Sequence, residues 1–347
     1  LRFVVLSIGT SQTKDPQLHI PNRTSTEKII MNAKKILLAF DGSTQSLNAA
    51  ELCWELAAKH PIRLTAQHVV NTVGLWQLLN FELPGLTGSG PYIAAHEAMG
   101  KELRSIGETL VSIYDAKAQT HGFPGQCVLD EGDAISEVQR RSVVHDMVVV
   151  GHHPYTPQAD TAAVGKDGQM PRYLTHFSMA EALARVIDKP LLVVQAQCRP
   201  WQRLKLILHG NEGIEPSFRA AADLAAFFDL PLEVTNYFQG EESVEDLPDL
   251  TALVKEASRL YPDLELKTGR AKLWPTDGDS HMAQVDCAED SLVMIPTFSS
   301  MAGRQSIFGT TPELFVRYCG VSSLLFWPAD AKVAGQKIGV PRAALSN

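Results

Sequence analysis

The sequence predicts a doubly wound α/β protein built twice over: two tandem domains, each a five-stranded parallel sheet flanked by helices. Three observations carry this. Short apolar runs alternate with helix-period segments along the chain, which implies βαβ crossovers and parallel sheets. The alternation occurs twice, in the same order. The 347 residues suit two domains of ordinary size better than one.

In the first half, Lys35–Phe40 (KILLAF) is a continuous apolar run, as expected of a strand buried on both faces. It stops at Asp41-Gly42-Ser43. Leu47, Ala50, Leu52, Leu56 and Ala57 then follow helical spacing up to Lys59-His60-Pro61. Ile62–Val70 reads as the second strand. Residues 71–92 form a long Gly/Pro-rich connection carrying Leu75, Trp76, Leu78, Leu79 and Phe81. Burial of these side chains, as a lid or an interface, is the expectation, because an exposed patch of that size is uncommon. A helix over Ile93–Gln119, a strand over Gln126–Leu129, a helix over Ala134–Val144 and a strand at Met147–Val150 come next. Met179–Ile187 reads as a helix and Leu191–Val194 as the fifth strand.

The second half repeats the plan. Strands are expected at Leu204–Leu208, Leu232–Tyr237, Leu264–Lys267, Ser291–Ile295 and Val321–Trp327. Helices are expected at Phe218–Phe228, Leu247–Leu260, His281–Ala288 and Pro312–Cys319. Laying Leu37 over Lys205 gives an offset of 168 residues, and Met147 over Leu292 an offset of 145. The expected organisation is a flexible extension over 1–30, domains over 31–198 and 199–330, and a tail over 331–347. Such a duplication packs like a homodimer on one chain, with further homodimerisation open to it.

Composition narrows the function. With 45% hydrophobic and 20% charged residues the chain is globular. A net charge of −8 with no basic patch argues against nucleic acid as a partner. No apolar run approaches the ~20 residues that span a bilayer. Leu1–Gly9 is a poor signal peptide. Five scattered cysteines suit a reducing compartment, so the cytoplasm is the expected location.

Three stretches are similar to the universal stress protein family: Ile36–Ser43 (ILLAFDGS), Asp146–Gly151 (DMVVVG), and the closing strands Lys189–Val194 and, more loosely, Gly320–Phe326. The resemblance spans about residues 34–328. It implies an adenine-nucleotide α-hydrolase-like fold and, in one branch of the family, a nucleotide site. There a G-x2-G-x9-G-[S/T] loop follows the fourth strand. Its glycines admit phosphates to the backbone, and its end opens a helix whose amides attract anions. The candidate contacts so implied are Asp41, Gly42, Val70, Gly151 and Ser178 in the first half. In the second they are His209, Ile295, Ser299, Gly309, Thr310 and Thr311. Both halves depart from the pattern. In the first, Pro154 replaces the second glycine and Phe177-Ser178 stands where Gly-[S/T] belongs. In the second, Pro296-Thr297-Phe298-Ser299 replaces G-x-x-G, His209 replaces the aspartate, and Gly309-Thr310 is kept. Ser178 with Glu181, and Thr310 with Glu313, also read as capping boxes.

Other constellations are weaker. His152-His153 lies at a strand end, where ligands bind in α/β folds. With His176 or Asp160 it would be a metal site, but zinc needs three or four placed ligands. Asp130-Glu131-Gly132-Asp133 complements a helix N-terminus better than it binds calcium. No nucleophile elbow or P-loop is present. The expected function is therefore a non-enzymatic stress-response protein acting through protein partners or a small ligand, with degenerate nucleotide sites. The alternatives are an ATP-binding protein using the Gly309-Thr310 helix start and a metal-dependent enzyme at His152 and His153.

Overall fold

The computed structural model describes residues 34–76, 89–124, 126–152, 178–195, 200–209, 213–239, 248–273, 290–300, 303–306, 312, 315–316 and 321–329. In the first half the strands are β1 (Lys34–Ala39), β2 (Ile62–Asn71), β3 (Cys127–Gly132), β4 (Met147–Gly151) and β5 (Leu191–Val194). The helices are α1 (Thr44–Lys59), α2 (Gly90–Thr120), α3 (Ala134–Ser142) and α4 (Met179–Val186). The second half carries β6 (Arg203–His209), α5 (Ile214–Phe228), β7 (Leu232–Gln239), α6 (Thr251–Leu260), β8 (Leu266–Leu273), β9 (Ser291–Ser300), β10 (Gly303–Ser306) and β11 (Ser323–Pro328).

All eleven strands belong to one sheet. Its order is β3-β2-β1-β4-β5-β11-β9-β6-β7-β8, with β10 hydrogen-bonded to β9 alone. Apart from the antiparallel β9–β10 pair each half runs parallel within itself, and the strand order of one mirrors that of the other. The halves meet where β5 pairs antiparallel with β11, from Val194 opposite Ser323 to Leu191 opposite Phe326. Gln195 reinforces this joint, its Nε2 donating to the Val316 carbonyl at 2.6 Å. Within the second half, the Trp201 indole donates to Ser323 Oγ at 3.1 Å.

Because both faces of the sheet are covered, its central strands are apolar on every residue rather than on alternate ones. One face packs Ile36, Leu38, Val149, Leu206, Val234 and Met294 under α1, α2 and α5. The opposite face packs Leu37, Val148, Ile207, Val293 and Ile295 under α3, α4 and Phe315. Each core contains residues of both halves, so neither half closes its interior alone. Cys53 and Cys127 lie in or against the first core, and burial pushes the Cys127 thiol up to about 12.

The repeat register differs from the sequence expectation by two residues. Lys34 pairs with Ile62 as Leu204 pairs with Leu232, and the N-caps of α1 and α5 are Ser43 and Gly213. The offset is therefore 170 rather than 168. Likewise Ile36 faces Met147 as Leu206 faces Met294, an offset of 147 rather than 145. Side chains alternate across a sheet with period two, so a slip of two leaves every apolar residue on its own face. Hydrophobic pattern alone cannot detect it.

Three boundaries moved. The third strand of the second half runs Leu266–Leu273, and its preceding helix begins at Thr251. The stretch Pro296–Ser299, expected as a loop, continues strand β9 and turns back as a hairpin with β10. Pro296 is tolerated there because β6 pairs with β9 only as far as Met294, leaving no donor required on that side. In the 71–92 connection, Leu75 is buried and Trp76 is 36% exposed; Leu78, Leu79 and Phe81 lie outside the described residues. So do the expected helix at 281–288, the extension over 1–30 and the tail over 331–347.

One further contact joins the halves. His60, at the C-cap of α1, packs against Phe227 and Phe228 at the end of α5, with ring centroids 5.0 and 5.3 Å away. Phe228 also meets Trp201 edge-on. Burial, then the neighbouring Lys59 charge, lowers the His60 pKa; Asp229 opposes them.

Three outcomes follow from these contacts. Leu325→Asp places an uncompensated charge in the fully buried seam and should cost about 3–5 kcal/mol. Wild-type denaturation should be one transition, the same whether followed by helical circular dichroism or tryptophan fluorescence; two separated transitions would contradict a shared core. A lowered His60 pKa means the unfolded chain takes up the proton first. Stability should therefore be full above pH 6.5 and decline as pH falls below it, and His60→Gln should flatten that component of the denaturation-midpoint profile.

Candidate functional site

In an open α/β sheet, ligands bind beyond the carboxyl ends of the strands where the winding direction reverses. Here those crevices lie between β1 and β4 and between β6 and β9.

In the first half the turn after β1 is closed on itself. Asp41 is exposed, and its Oδ1 accepts the Ser43 amide at 2.9 Å. Gly42 has φ +80, a conformation that favours glycine, and Leu110 of α2 sits where its Cβ would be. Ser43 caps α1 by accepting the Ser46 amide at 3.1 Å. Val70 is buried near the end of β2. Gly151 ends β4, and the backbone of Gln45 and Ser46 lies where its Cβ would stand. This glycine lets the first turn of α1 press directly onto β4.

Ser178 begins α4 with a complete capping box. Its Oγ accepts the Glu181 amide at 3.2 Å, and its own amide donates to Glu181 Oε2 at 2.7 Å. The same hydroxyl lies 2.9 Å from His152 Nδ1. His152 is buried, and its amide donates to the Val194 carbonyl. The structure thus brings Gly151, His152 and Ser178 together at the end of β4, with Asp41 and Gly42 on the adjoining turn. His153, Pro154, Asp160, His176 and Phe177 lie outside the described residues. Among the described residues, no group of three or more His, Cys, Asp or Glu side chains could hold a metal ion, and no helix is long and apolar enough to cross a membrane.

The second half is built differently at the same point. The 170-residue offset places His209 opposite Ala39, not Asp41. His209 is a β6 strand residue facing Tyr237 in register. The 147-residue offset makes Phe298 the counterpart of Gly151. The Phe298 ring reaches Gly213, where a Cβ would stand 2.6 Å from Phe298 Cε1. Gly213, the N-cap of α5, has φ +64, so its missing side chain serves both the turn and the ring. Ile295 is fully buried, and Ser299 is exposed, paired with Arg304 of β10. Gly309, Thr310, Thr311 and Glu313 lie outside the described residues.

Sequence reasoning missed an ion network at the first-half edge. Arg141 grips Asp130 with two nitrogens at 2.7–2.9 Å, and Gln67 Nε2 donates to the same carboxylate at 2.7 Å. Arg104 pairs with Glu131, and Asp133 caps α3 through the Ser136 amide. The acidic turn is consumed by these partners. The only signal for it was the Arg140-Arg141 pair one helix later, which looks like solvated charge in the sequence.

The packing at Gly151 has a measurable consequence. Gly151→Ala should destabilise by about 1–3 kcal/mol through overpacking against backbone. Gly269→Ala, which meets nothing within 4 Å, should stay within about 0.5 kcal/mol. Ser178→Ala should cost about 1 kcal/mol as a lost cap. Urea denaturation of the three variants tests the ranking.

No protein-family model and no curated protein matches this sequence. Solved structures do. A universal stress protein from Archaeoglobus fulgidus matches with TM-score 0.57 and 13% identity, over 85% of this chain and 98% of that one. A universal stress protein from Lactobacillus plantarum matches 47% of this chain and 99% of its own, at 13% identity and TM-score 0.33. A universal stress protein family protein from Arabidopsis thaliana with AMP bound matches 34% of this chain and 76% of its own, at 16% identity and TM-score 0.24. The Archaeoglobus likeness covers both halves of the sheet, and by it the chain has the universal stress protein fold.

Proposed function

We propose that this chain is a non-catalytic stress-response protein that acts by binding protein partners or a small ligand through its paired halves, with neither crevice kept open for a nucleotide. The halves would correspond to residues 31–198 and 199–330, working in the cytoplasm. One observation carries the reading: at the end of β4 and at the end of β9 the backbone is packed against the chain's own atoms. The first turn of α1 lies on Gly151 in one half, and the Phe298 ring lies on Gly213 in the other. The hydroxyl of Ser178, the residue at the phosphate end of the first-half motif, is already engaged by His152 and Glu181. The stress-response part rests on fold analogy.

The test is calorimetric titration of the full chain with Mg²⁺ and ATP, ADP or AMP, after assay of the purified protein for carried-over nucleotide. The expected result is no carried-over nucleotide and no binding tighter than about 1 mM, some −4 kcal/mol. Micromolar ATP binding would overturn the reading. If Thr310→Ala then abolished it, the site would be the Gly309-Thr310 helix start.

A further inference from the structure

Helix α2 is 31 residues long, roughly 46 Å at 1.5 Å per residue. It buries one face, through Tyr92, Gly107, Tyr114 and Ala118. On a flank of that face stand Met99, Ile106 and Ile113, exposed by 40%, 55% and 43%. They are spaced by seven residues, so they form one straight stripe along the helix, the spacing by which one helix meets another. Beside it, Thr109 Oγ1 donates to the Ser105 carbonyl at 3.0 Å and Ser112 Oγ to the Glu108 carbonyl at 2.9 Å, so both hydroxyls spend their donor on their own helix. Beside the stripe, Met99 also lines an apolar groove of about 510 Å³ with Gly74, Leu75, Ala98 and Leu103.

We propose that this face binds the same face of a second copy of the chain, as an antiparallel, two-fold pair of α2 helices. Two arguments select a second copy. The first is charge. Glu102 and Lys117 flank the stripe, and neither has an ion-pair partner among the described residues. A two-fold axis between Thr109 and Leu110 sets Ile106 against Ile113 of the partner subunit. The same axis brings Glu102 to the level of Lys117 of the partner subunit. One register thus pairs the apolar residues and the opposite charges together. The second is area. The three aliphatic side chains expose on the order of 300 Å², and half-exposed Val73 and Trp76 near the groove raise this to roughly 450 Å². A standard specific interface of about 800 Å² per partner, about 57% non-polar, needs roughly 450 Å² of apolar surface from each copy, and these side chains supply about that much.

The experiment is sedimentation equilibrium of the full chain and its variants at several concentrations. The wild type should have twice its 38.0 kDa chain mass. Ile106→Arg should be monomeric over the same range, at least tenfold weaker in self-association. Val144→Arg, at an equally exposed valine away from the stripe, should remain dimeric. Glu102→Lys and Lys117→Glu should each weaken the dimer, and the double exchange should restore it. A monomeric wild type overturns the proposal, as it would if another segment of the chain covered the stripe. A dimer indifferent to Ile106→Arg, or an exchange that fails to restore association, overturns it as well.

Discussion

The antiparallel pairing of β5 with β11 is the contact on which the rest of the molecule depends. Each half would otherwise end in an exposed, largely apolar edge strand: Leu191–Val194 on one side, Ser323–Pro328 on the other. Such edges are templates for uncontrolled association. Joining them inside one chain removes both at once and fuses the layers above and below into two shared cores. The seam has to be apolar because it is central, and its polar groups are accordingly few and satisfied. Gln195 ties the two halves together, its amide donating to the Ser322 carbonyl and its side chain to the Val316 carbonyl.

Around that seam the halves agree in strand order and differ in detail where function would reside. A glycine against backbone in one half becomes a phenylalanine against glycine in the other. Each place is close-packed, but a different element supplies the packing atoms. This is how packed interiors tolerate divergence: a loss on one element is matched by a gain on its neighbour. The hairpin of β9 and β10 belongs to the same exchange, since it carries Phe298 to the mouth of the second crevice.

The fold was legible because periodicity reports burial. Continuous runs such as Lys35–Phe40 and Met147–Val150, short and ended by glycine-containing turns, fit strands covered on both faces. The Ser178 capping box and the Pro61 stop marked helix ends. The exact repeat register was not legible, because a two-residue slip is silent in a period-two pattern. The crevices were legible only in part. Motif comparison located Gly151 and Ser178, but nothing in the letters says that Gln45 lies on one or that His152 reaches the other. Phe298 was read as a variable position between two lost glycines, whereas its role depends on Gly213, 85 residues earlier. Long-range complementarity of that kind has no local signature.

A true homodimer imposes one sequence on two identical surroundings, so any change at a crevice is made twice. Covalent linkage removes that restriction. Gly151 and Phe298 occupy equivalent places on opposite sides of the pseudo-axis, yet no single residue could serve both: a ring at 151 would strike the α1 backbone, and a glycine at 298 would leave a void over Gly213. The two sides have thereby become distinguishable addresses on one molecule, and a partner can dock in a defined orientation instead of two equal ones.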